Sequence, residues 1–323
     1  MKEFELIDTY FQQGGYQRKD VLAGIGDDCA ITHVPEGQSL AVTTDTLVSG
    51  VHFPEHTSAK HIAHKAMAVN LSDLAAMGAE PAWVSLSLSM PDSNEAWLAE
   101  FSSSLLELCA YYNVQLIGGD TVRGPLSITI TAHGFVPVKT ELTRNGAKPG
   151  DWLYVTGTLG DAGLGLDIVN KQVPAYGEHK QFLLKRLNAP TPRVLEGTAL
   201  RRIANACIDI SDGLLADLKH VLHRSGCGAI VQVDNLPFSV AMRETVPMEQ
   251  AIHYALSSGD DYELLFTVSE EQRGNLDTVL SNYHVSATCI GQMTGVTEKL
   301  EVRRGSEPFS ISPHGYQHFA TPA

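Results

Sequence analysis

Residues 58–90 read SAKHIAHKAMAVNLSDLAAMGAEPAWVSLSLSM, and this stretch decides the class of the fold. Apolar residues recur at helical spacing over residues 58–77, and Gly78 is a typical helix stop. Over residues 83–90 apolar residues alternate with serines, which predicts a strand with one buried face and one polar face. A long helix followed directly by such a strand indicates a mixed fold of the α/β or α+β class.

The same periodicities extend this pattern over the whole chain. The 323 residues are 43% hydrophobic, which is enough for two packed domains. Turn-forming residues at 145–150 suggest a boundary nearby, so we expect an N-terminal domain over residues 1–140 and a C-terminal domain over residues 141–323. Further strands are predicted over residues 39–44, 114–117, 127–136, 152–156, 206–210, 229–233 and 262–268, and a further helix over residues 93–113.

Composition excludes several classes of protein. No run approaches the ~18 apolar residues of a membrane span, and the first residues lack an apolar signal core. The five cysteines are widely spaced without a CxxC pair, which argues against a disulfide framework or a thiolate zinc site. A formal charge of −14 gives no general attraction for nucleic acid. We therefore expect a cytoplasmic protein without a membrane or nucleic-acid partner.

Asp73 is the most informative single residue. It continues the apolar stripe of Ile62, Ala66 and Val69 at spacings of three and four, so it is predicted on the buried face of its helix. A buried carboxylate is costly unless it is paired, protonated or bound to a cation. Asn70 lies one turn earlier and could share such a site. The alternative is a structural role, in which Asp73 caps a neighbouring loop.

Other aspartates follow glycine or small hydroxyl residues at the predicted ends of strands. Each alone could be an ordinary turn residue, but strand ends are where α/β folds bind ligands. Oxygen ligands without a Cys or His cluster favour Mg²⁺, which normally bridges carboxylates to nucleotide phosphates. No P-loop or protein-kinase motif occurs. These aspartates are Asp27, Asp28, Asp45, Asp120, Asp209, Asp212, Asp260 and Asp261.

Six motifs, in order along nearly the whole chain, resemble the thiamine-monophosphate kinase family, which belongs to the aminoimidazole ribonucleotide synthetase-like superfamily. The motifs are GIGDDCA (24–30), VTTDTLVSGVHF (42–53), AVNLSDLAAMGA (68–79), LIGGDT (116–121), ISDGL (210–214) and SGDDYELLF (258–266). The resemblance implies a PurM-like fold with an N-terminal α/β domain for ATP, Mg²⁺ and dimerisation. Its strands would form a barrel across a homodimer, and a C-terminal α/β domain would complete the active site.

The implied reaction is ATP-dependent phosphorylation of thiamine monophosphate to thiamine diphosphate, the last step of thiamine diphosphate biosynthesis. The acceptor phosphate is already ionised, so we expect direct in-line transfer without a side chain acting as acid or base, and charge stabilisation by Arg144. The resemblance assigns several Mg²⁺ ions to Asp28, Thr43, Thr44, Asp45, Asp73, Asp120, Asp209 and Asp212. It assigns ATP to Gly119, Asp120, Arg144, Ser211 and Tyr112, and the thiamine substrate to His52, Asp260 and Tyr316. Tyr316 could instead pin the C-terminal tail to the core.

Three alternative functions fit the sequence less well. Selenophosphate synthetase would need a reactive cysteine or selenocysteine near the N-terminus, and no cysteine precedes Cys29. Aminoimidazole ribonucleotide synthetase is disfavoured by the segment VSGVHF at 48–53. A non-catalytic sensor of ATP or thiamine phosphates would not require so many potential metal ligands.

Overall fold

The computed structural model describes residues 3–12, 15–283 and 285–310. Tyr316, predicted to contact the thiamine substrate, lies outside the described residues. The chain divides into two compact units. The N-terminal unit comprises residues 1–74 and 79–141, and the C-terminal unit comprises residues 75–78 and 142–323. None of the described helices is both long enough and apolar enough to cross a bilayer.

The N-terminal unit is built on a four-stranded sheet. The elements in chain order are α1 (Glu3–Ile7), a π-helical turn (Asp8–Gln12), β1 (Val21–Ala23), β2 (Ile31–Thr32), β3 (Gln38–Val48), α2 (Ala59–Ala76), β4 (Glu80–Met90), α3 (Glu95–Tyr111), β5 (Gln115–Arg123) and β6 (Ser127–Pro137). The sheet order is β3-β6-β4-β5, with β4 and β5 parallel and the other neighbours antiparallel. β1 and β2 form a separate antiparallel pair.

The two faces of this sheet differ in polarity. Ile128, Ile130 and Ala132 of β6 are fully buried on one face. On the opposite face, the hydroxyl groups of threonines on β3 and β6 pair across the strands, Thr44 with Thr131 at 2.9 Å and Thr46 with Thr129 at 2.8 Å. The predicted strand with an apolar face and a polar face is therefore confirmed as part of β4, in register with β6.

Helix α2 is buried on nearly every side, not along a single stripe. From Lys65 to Ala76, all of which the structure describes, every residue is buried except Asp73, which is partly exposed. The prediction that Asp73 shares the buried face of the helix is therefore only half right. Its carboxyl group lies at the one accessible position in an otherwise enclosed segment.

Two predicted strand ends are wrong. Asp45 was expected to follow a strand ending at Thr44, and Asp120 to follow a strand ending at Ile117. β3 instead pairs with β6 at every position from Gln38 to Val48, and β5 runs on to Arg123 beside β4. Cross-strand partners thus outweigh the local polarity that suggested an ending.

The C-terminal unit contains a seven-stranded sheet with helices on both faces. Its elements are β7 (Trp152–Thr156), α4 (Asp161–Val169), α5 (Gly177–Asn188), α6 (Val194–Ala199), β8 (Ala206–Asp209), α7 (Leu214–Ser225), β9 (Gly228–Gln232), α8 (Val240–Thr245), α9 (Met248–Ser257), β10 (Leu264–Val268), α10 (Arg273–Tyr283), β11 (Ala287–Thr294), β12 (Leu300–Arg304) and β13 (Glu307–Pro308), with short 3₁₀ turns at Val233–Asn235 and Glu270–Gln272. The strand order is β13-β12-β9-β11-β7-β10-β8.

Alternation along the central strands places one hydrophobic core on each face of the sheet. Leu153 and Val155 of β7 pack with residues of α7 and α9. Tyr154, between them, packs in the other core with Phe266 and with Leu276 of α10. Strand β10 is buried along its whole length, as expected for a strand covered on both faces.

Candidate active site

Two of the predicted ligands, Thr43 and Asp73, meet between β3 and α2. The Thr43 hydroxyl donates a hydrogen bond to Oδ2 of Asp73. Two residues further along β3, the Asp45 N–H donates to Oδ1 of the fully buried Asn70 at 3.2 Å. Asn70 itself is held by a bond from its Nδ2 to the Ala66 carbonyl at 3.0 Å. Thr43, Asp45, Asn70 and Asp73 therefore form one oxygen-rich group.

Asp45 and Asp73 repel each other in this group. Burial, together with the negative charge of Asp73, raises the pKa of Asp45 to about 6. A bound cation would offset both effects, because it replaces lost hydration and neutralises the repulsion. Thr44 does not contribute its hydroxyl here, since adjacent strand residues point to opposite faces and its side chain bonds to Thr131.

Gly119 and Asp120 lie at the opposite edge of the same sheet. Asp45 is in register with Ile130, Ile130 with Leu86, and Leu86 with Gly119. Three strand spacings put Asp45 roughly 14 Å from Gly119. Gly119 has no room for a side chain, because a Cβ there would lie 1.8 Å from the Leu86 carbonyl oxygen.

Asp120 and Asp28 are both exposed. Asp28 lies in the connection between β1 and β2. The segment before this connection is tied to the sheet through Asp20, which accepts from Nε1 of Trp83 at 3.0 Å and from Nη2 of Arg18 at 2.7 Å. Within the N-terminal unit, the structure brings Asp45 and Asp73 together, and it places Asp120 on a different strand from Asp45.

His52 is fixed by the backbone of its own loop. Its Nδ1 accepts a hydrogen bond from the Val48 N–H at 3.0 Å, and its carbonyl accepts one from Nζ of Lys65 at 3.2 Å. A ring nitrogen that accepts an N–H carries no proton, so neutral His52 holds its proton on Nε2.

In the C-terminal unit, the predicted ligands lie where β8 meets α7. Asp209 is the buried last residue of β8, and Ser211 and Asp212 follow it. Oδ2 of Asp217, in the first turn of α7, accepts hydrogen bonds from the backbone N–H groups of Ser211 (3.0 Å), Asp212 (3.0 Å) and Gly213 (3.2 Å). Burial raises the pKa of Asp217 to about 7, although these N–H donors oppose the shift.

Asp260 lies beside this loop in a strained backbone. The Asp260 N–H donates to the Ser211 carbonyl at 2.9 Å, and the Tyr262 N–H donates to the Ile210 carbonyl at 2.8 Å. Asp260 (φ 68°) and Tyr262 (φ 50°) both adopt left-handed conformations, which non-glycine residues rarely do. Such strain persists only where surrounding contacts enforce it, and it clusters at functional sites.

A buried network of charges enforces that conformation. The fully buried Glu263 accepts hydrogen bonds from Nε and Nη2 of Arg193, both at 2.6 Å, and from Nη2 of Arg186 at 2.8 Å. The Thr156 hydroxyl donates to it at 2.6 Å. Oδ2 of Asp261 accepts from the Gly160 N–H at 2.8 Å. Two of the three acids in the GDDYE segment thus anchor it, and Asp260 is the one that is partly exposed.

Arg144 lies away from the 211–213 loop of its own unit. The Arg144 carbonyl accepts from the hydroxyl of Ser225 at 2.8 Å, at the C-terminal end of α7. The 211–213 loop is at the other end of this twelve-residue helix, roughly 18 Å away. Tyr112 caps the C-terminus of α3, and its ring meets that of Tyr111 edge-on at 4.8 Å between centroids.

The donor chemistry of the Asp45–Asp73 group fits Mg²⁺. Across residues 3–12, 15–283 and 285–310, no three or more His, Cys, Asp and Glu side chains are grouped so as to hold a metal ion by themselves. Mg²⁺, however, is normally held by one or two carboxylates together with water and substrate phosphates. A pair of carboxylates with an adjacent hydroxyl therefore fits an ion shared with a phosphate-bearing ligand.

Comparison with known proteins follows the same division of the chain. Residues 26–136 match the family model for the AIR synthase related protein N-terminal domain, and residues 148–303 match that for the C-terminal domain. The thiamine-monophosphate kinase of Escherichia coli (strain K12) is 54% identical over 321 residues, which cover 99% of each chain. The chain belongs to the thiamine-monophosphate kinase family.

Solved structures of this family have the same fold. The crystal structure of the thiamine-monophosphate kinase from Stenotrophomonas maltophilia K279a superposes with a TM-score of 0.87 at 43% identity, covering 96% of this chain and 98% of that one. AaThiL complexed with AMPPCP and TMP superposes with a TM-score of 0.78 at 31% identity, covering 98% and 97%. The family and the mixed α/β fold predicted from the motifs are confirmed, whereas the barrel across a dimer stays a prediction.

Sequence reasoning missed the residues that hold the site together in this family member. Asp217 was not singled out, although it stands in the first turn of a helix directly after the ISDGL motif. Glu263 belongs to the SGDDYELLF motif, but the sequence gives no role for it. Its partners Arg186 and Arg193 lie 77 and 70 residues away. An acid at a helix start was a usable signal for Asp217, but no sequence spacing could reveal the Glu263 network.

Proposed function

We propose that this enzyme transfers the γ-phosphoryl group of ATP to the phosphate of thiamine monophosphate, giving ADP and thiamine diphosphate. The observation that carries the proposal is the likeness to AaThiL, solved with an ATP analogue and TMP, over 98% of this chain. The pairing of Asp45 and Asp73 beside Thr43 supports it, since these oxygens suit a cation shared with phosphate.

The transfer is a direct in-line displacement. An oxygen of the acceptor phosphate bonds to the γ-phosphorus while the bond from that phosphorus to the β,γ-bridging oxygen breaks, and ADP leaves with the electron pair. The acceptor is ionised at neutral pH, so no side chain needs to remove a proton. Catalysis rests on alignment and on neutralising charge. Mg²⁺, when bound, supplies positive charge to phosphate oxygens.

Different residues bind the metal ions, ATP and the thiamine substrate. Thr43, Asp45 and Asp73 hold one metal position, and the roughly 14 Å between Asp45 and Gly119 supports a separate position for Asp120. The remaining metal ligands of the proposal are Asp28, Thr44 through its carbonyl, Asp209 and Asp212. Gly119, Ser211, Tyr112 and Arg144 bind ATP, with Arg144 stabilising charge, and His52, Asp260 and Tyr316 bind the thiamine substrate.

We further propose a cytoplasmic homodimer. All five cysteine thiols are free, as expected in a reducing compartment. The hydroxyl-bearing face of β3 also exposes Leu40 (41%) and Val42 (57%), which supports its burial against a second copy. Sedimentation of wild type and of Val42→Glu tests this part: a dimer that the variant weakens supports it, and a wild-type monomer contradicts it.

The activity is tested by measuring ADP release with and without thiamine monophosphate over a range of Mg²⁺ concentrations. The proposal expects ADP release only when both thiamine monophosphate and Mg²⁺ are present. Release without an acceptor, or a phosphorylated side chain trapped during turnover, would contradict direct transfer. Binding of both ligands without any turnover would favour the sensor alternative.

A further inference from the structure

The carboxyl group of Asp217 accepts hydrogen bonds from three consecutive backbone N–H groups. Those of Ser211, Asp212 and Gly213 all donate to the same oxygen, Oδ2, at 3.0–3.2 Å. Asp217 is 3% exposed, so water does not compete for these bonds. When Asp217 is ionised, these N–H bonds are charge-assisted and roughly twice as strong as neutral ones.

This arrangement determines what the loop offers to a ligand. The N-terminus of a helix usually presents free N–H groups that bind phosphate directly. Here Asp217 occupies the N–H groups of residues 211–213, so an incoming phosphate meets the side chains of Ser211 and Asp212 instead. A carboxylate at that position repels phosphate unless a cation lies between them.

The same loop is bonded to the segment that carries Asp260. The Ser211 carbonyl accepts the Asp260 N–H at 2.9 Å. The two backbones pass so closely that a Cβ on Gly259 would lie 2.3 Å from the Ser211 carbonyl oxygen. A displacement of the 211–213 loop would therefore also displace Asp260.

We infer that Asp217 is a positioning residue: it holds the 211–213 loop so that Asp212 faces a metal-bound polyphosphate while the loop N–H groups are withheld from it. Asp217 acts through the loop and touches neither reactant. The inference rests on the proposed function, because it assumes that Ser211 and Asp212 bind the nucleotide and its metal.

The test compares wild type with Asp217→Asn and with a matched control, Asp151→Asn. Asp151 is also 3% exposed and accepts a backbone N–H, that of Lys148 at 2.9 Å, but it bonds to Asn205 at the start of β8 instead of the 211–213 loop. The first readout is hydrogen–deuterium exchange over residues 210–216 in metal-free protein. Exchange should rise at least about tenfold in Asp217→Asn and stay at the wild-type rate in Asp151→Asn.

The second readout is the Mg²⁺ concentration that gives half of the thermal stabilisation by ATP. Residues that orient metal ligands typically contribute 10–100-fold to metal affinity, so Asp217→Asn should raise this concentration at least about tenfold. Asp217→Glu keeps an acidic acceptor, so its exchange rate and Mg²⁺ requirement should lie between those of the wild type and Asp217→Asn. This variant replaces Asp217→Asn in the test if the latter does not fold. Unchanged exchange and Mg²⁺ dependence in the folded variant, or equal changes in Asp151→Asn, would overturn the inference.

These readouts need no thiamine monophosphate. A wild-type protein that binds Mg²⁺ and ATP but never phosphorylates the acceptor would count against the proposed function alone.

Discussion

The backbone N–H of Asp45 donates a hydrogen bond to Oδ1 of Asn70, and this bond fixes β3 against α2 at the level of the Asp45 and Asp73 carboxyl groups. Asn70 is fully buried and bonded in turn to the Ala66 carbonyl. The spacing of the two carboxyl groups therefore depends on an amide side chain that need not touch either reactant.

Asn70→Ala should lower both stability and metal affinity. It leaves the Asp45 N–H without its acceptor, which costs about 1–3 kcal/mol of the free energy of unfolding. Urea denaturation measures that loss, and Mg²⁺ titration of ATP binding measures the affinity. Asn94→Ala is the control, because Asn94 caps α3 by accepting the Trp97 N–H and its loss costs about 1 kcal/mol. An Asn70→Ala protein that matches this control in Mg²⁺ dependence would disprove the role.

Asp45→Asn and Asp120→Asn should both remove most turnover but differ in thermal stability. In Mg²⁺-free buffer Asp45→Asn should raise the melting temperature, because it removes a partly buried charge that Asp73 repels. Asp120 is exposed, so Asp120→Asn should leave the melting temperature near that of wild type. A thermal scan in EDTA checks both, and near wild-type rates in either variant would refute its assignment as a metal ligand.

Glu263→Gln should destabilise the C-terminal unit strongly. Removing one partner of a buried ion pair leaves uncompensated charge and costs about 3–5 kcal/mol, here at Arg186 and Arg193. Glu249→Gln breaks an exposed pair with Arg304 at 2.7 Å, and because solvent screens this pair, the free energy of unfolding should hardly change. Equal midpoints of urea unfolding for the two variants would show that the Glu263 network does not support the fold.

The stability of Asp261→Asn relative to the wild type should increase as the pH rises. Burial raises the pKa of Asp261 well above its ordinary value of 3.8, despite the nearby Arg186. A carboxyl group with a raised folded-state pKa loses stability as the pH increases from the unfolded value through the folded one. Asn cannot ionise, so the variant's stability relative to wild type should increase from pH 5 to pH 8. Urea midpoints that differ by a constant amount over this range would contradict the prediction.

Local sequence was sufficient for much of the fold. Gly78 marked the C-terminal end of α2, and the apolar pattern revealed β4 and β7, because these elements bury residues at regular spacing. The ends of β3 and β5 could not be predicted from local residues. The sequence predicts that the first of these strands ends at Thr44, but Thr129 and Thr131 on β6 supply partners that continue it.

The sequence predicted individual residues of the site but not their positions relative to one another. Motif residues identified Asp45 and Asp73, and the structure brings them together. Asp120 shares a sheet with Asp45 but lies on its opposite edge, which depends on the strand order β3-β6-β4-β5 and not on any spacing in the sequence. Asp217 and Glu263 act through hydrogen bonds to other segments, so their roles emerge only from the folded chain.

The most direct test of the central claim is a crystal structure with AMPPCP, thiamine monophosphate and Mn²⁺ in place of Mg²⁺, using anomalous scattering to locate the ions. We expect one ion bonded to both Asp45 and Asp73 and to a phosphate oxygen, with others at Asp120 and at Asp209 or Asp212. Ordered nucleotide and acceptor phosphates without an ion at Asp45 and Asp73 would contradict the claim that these carboxylates hold the two anions together through metal.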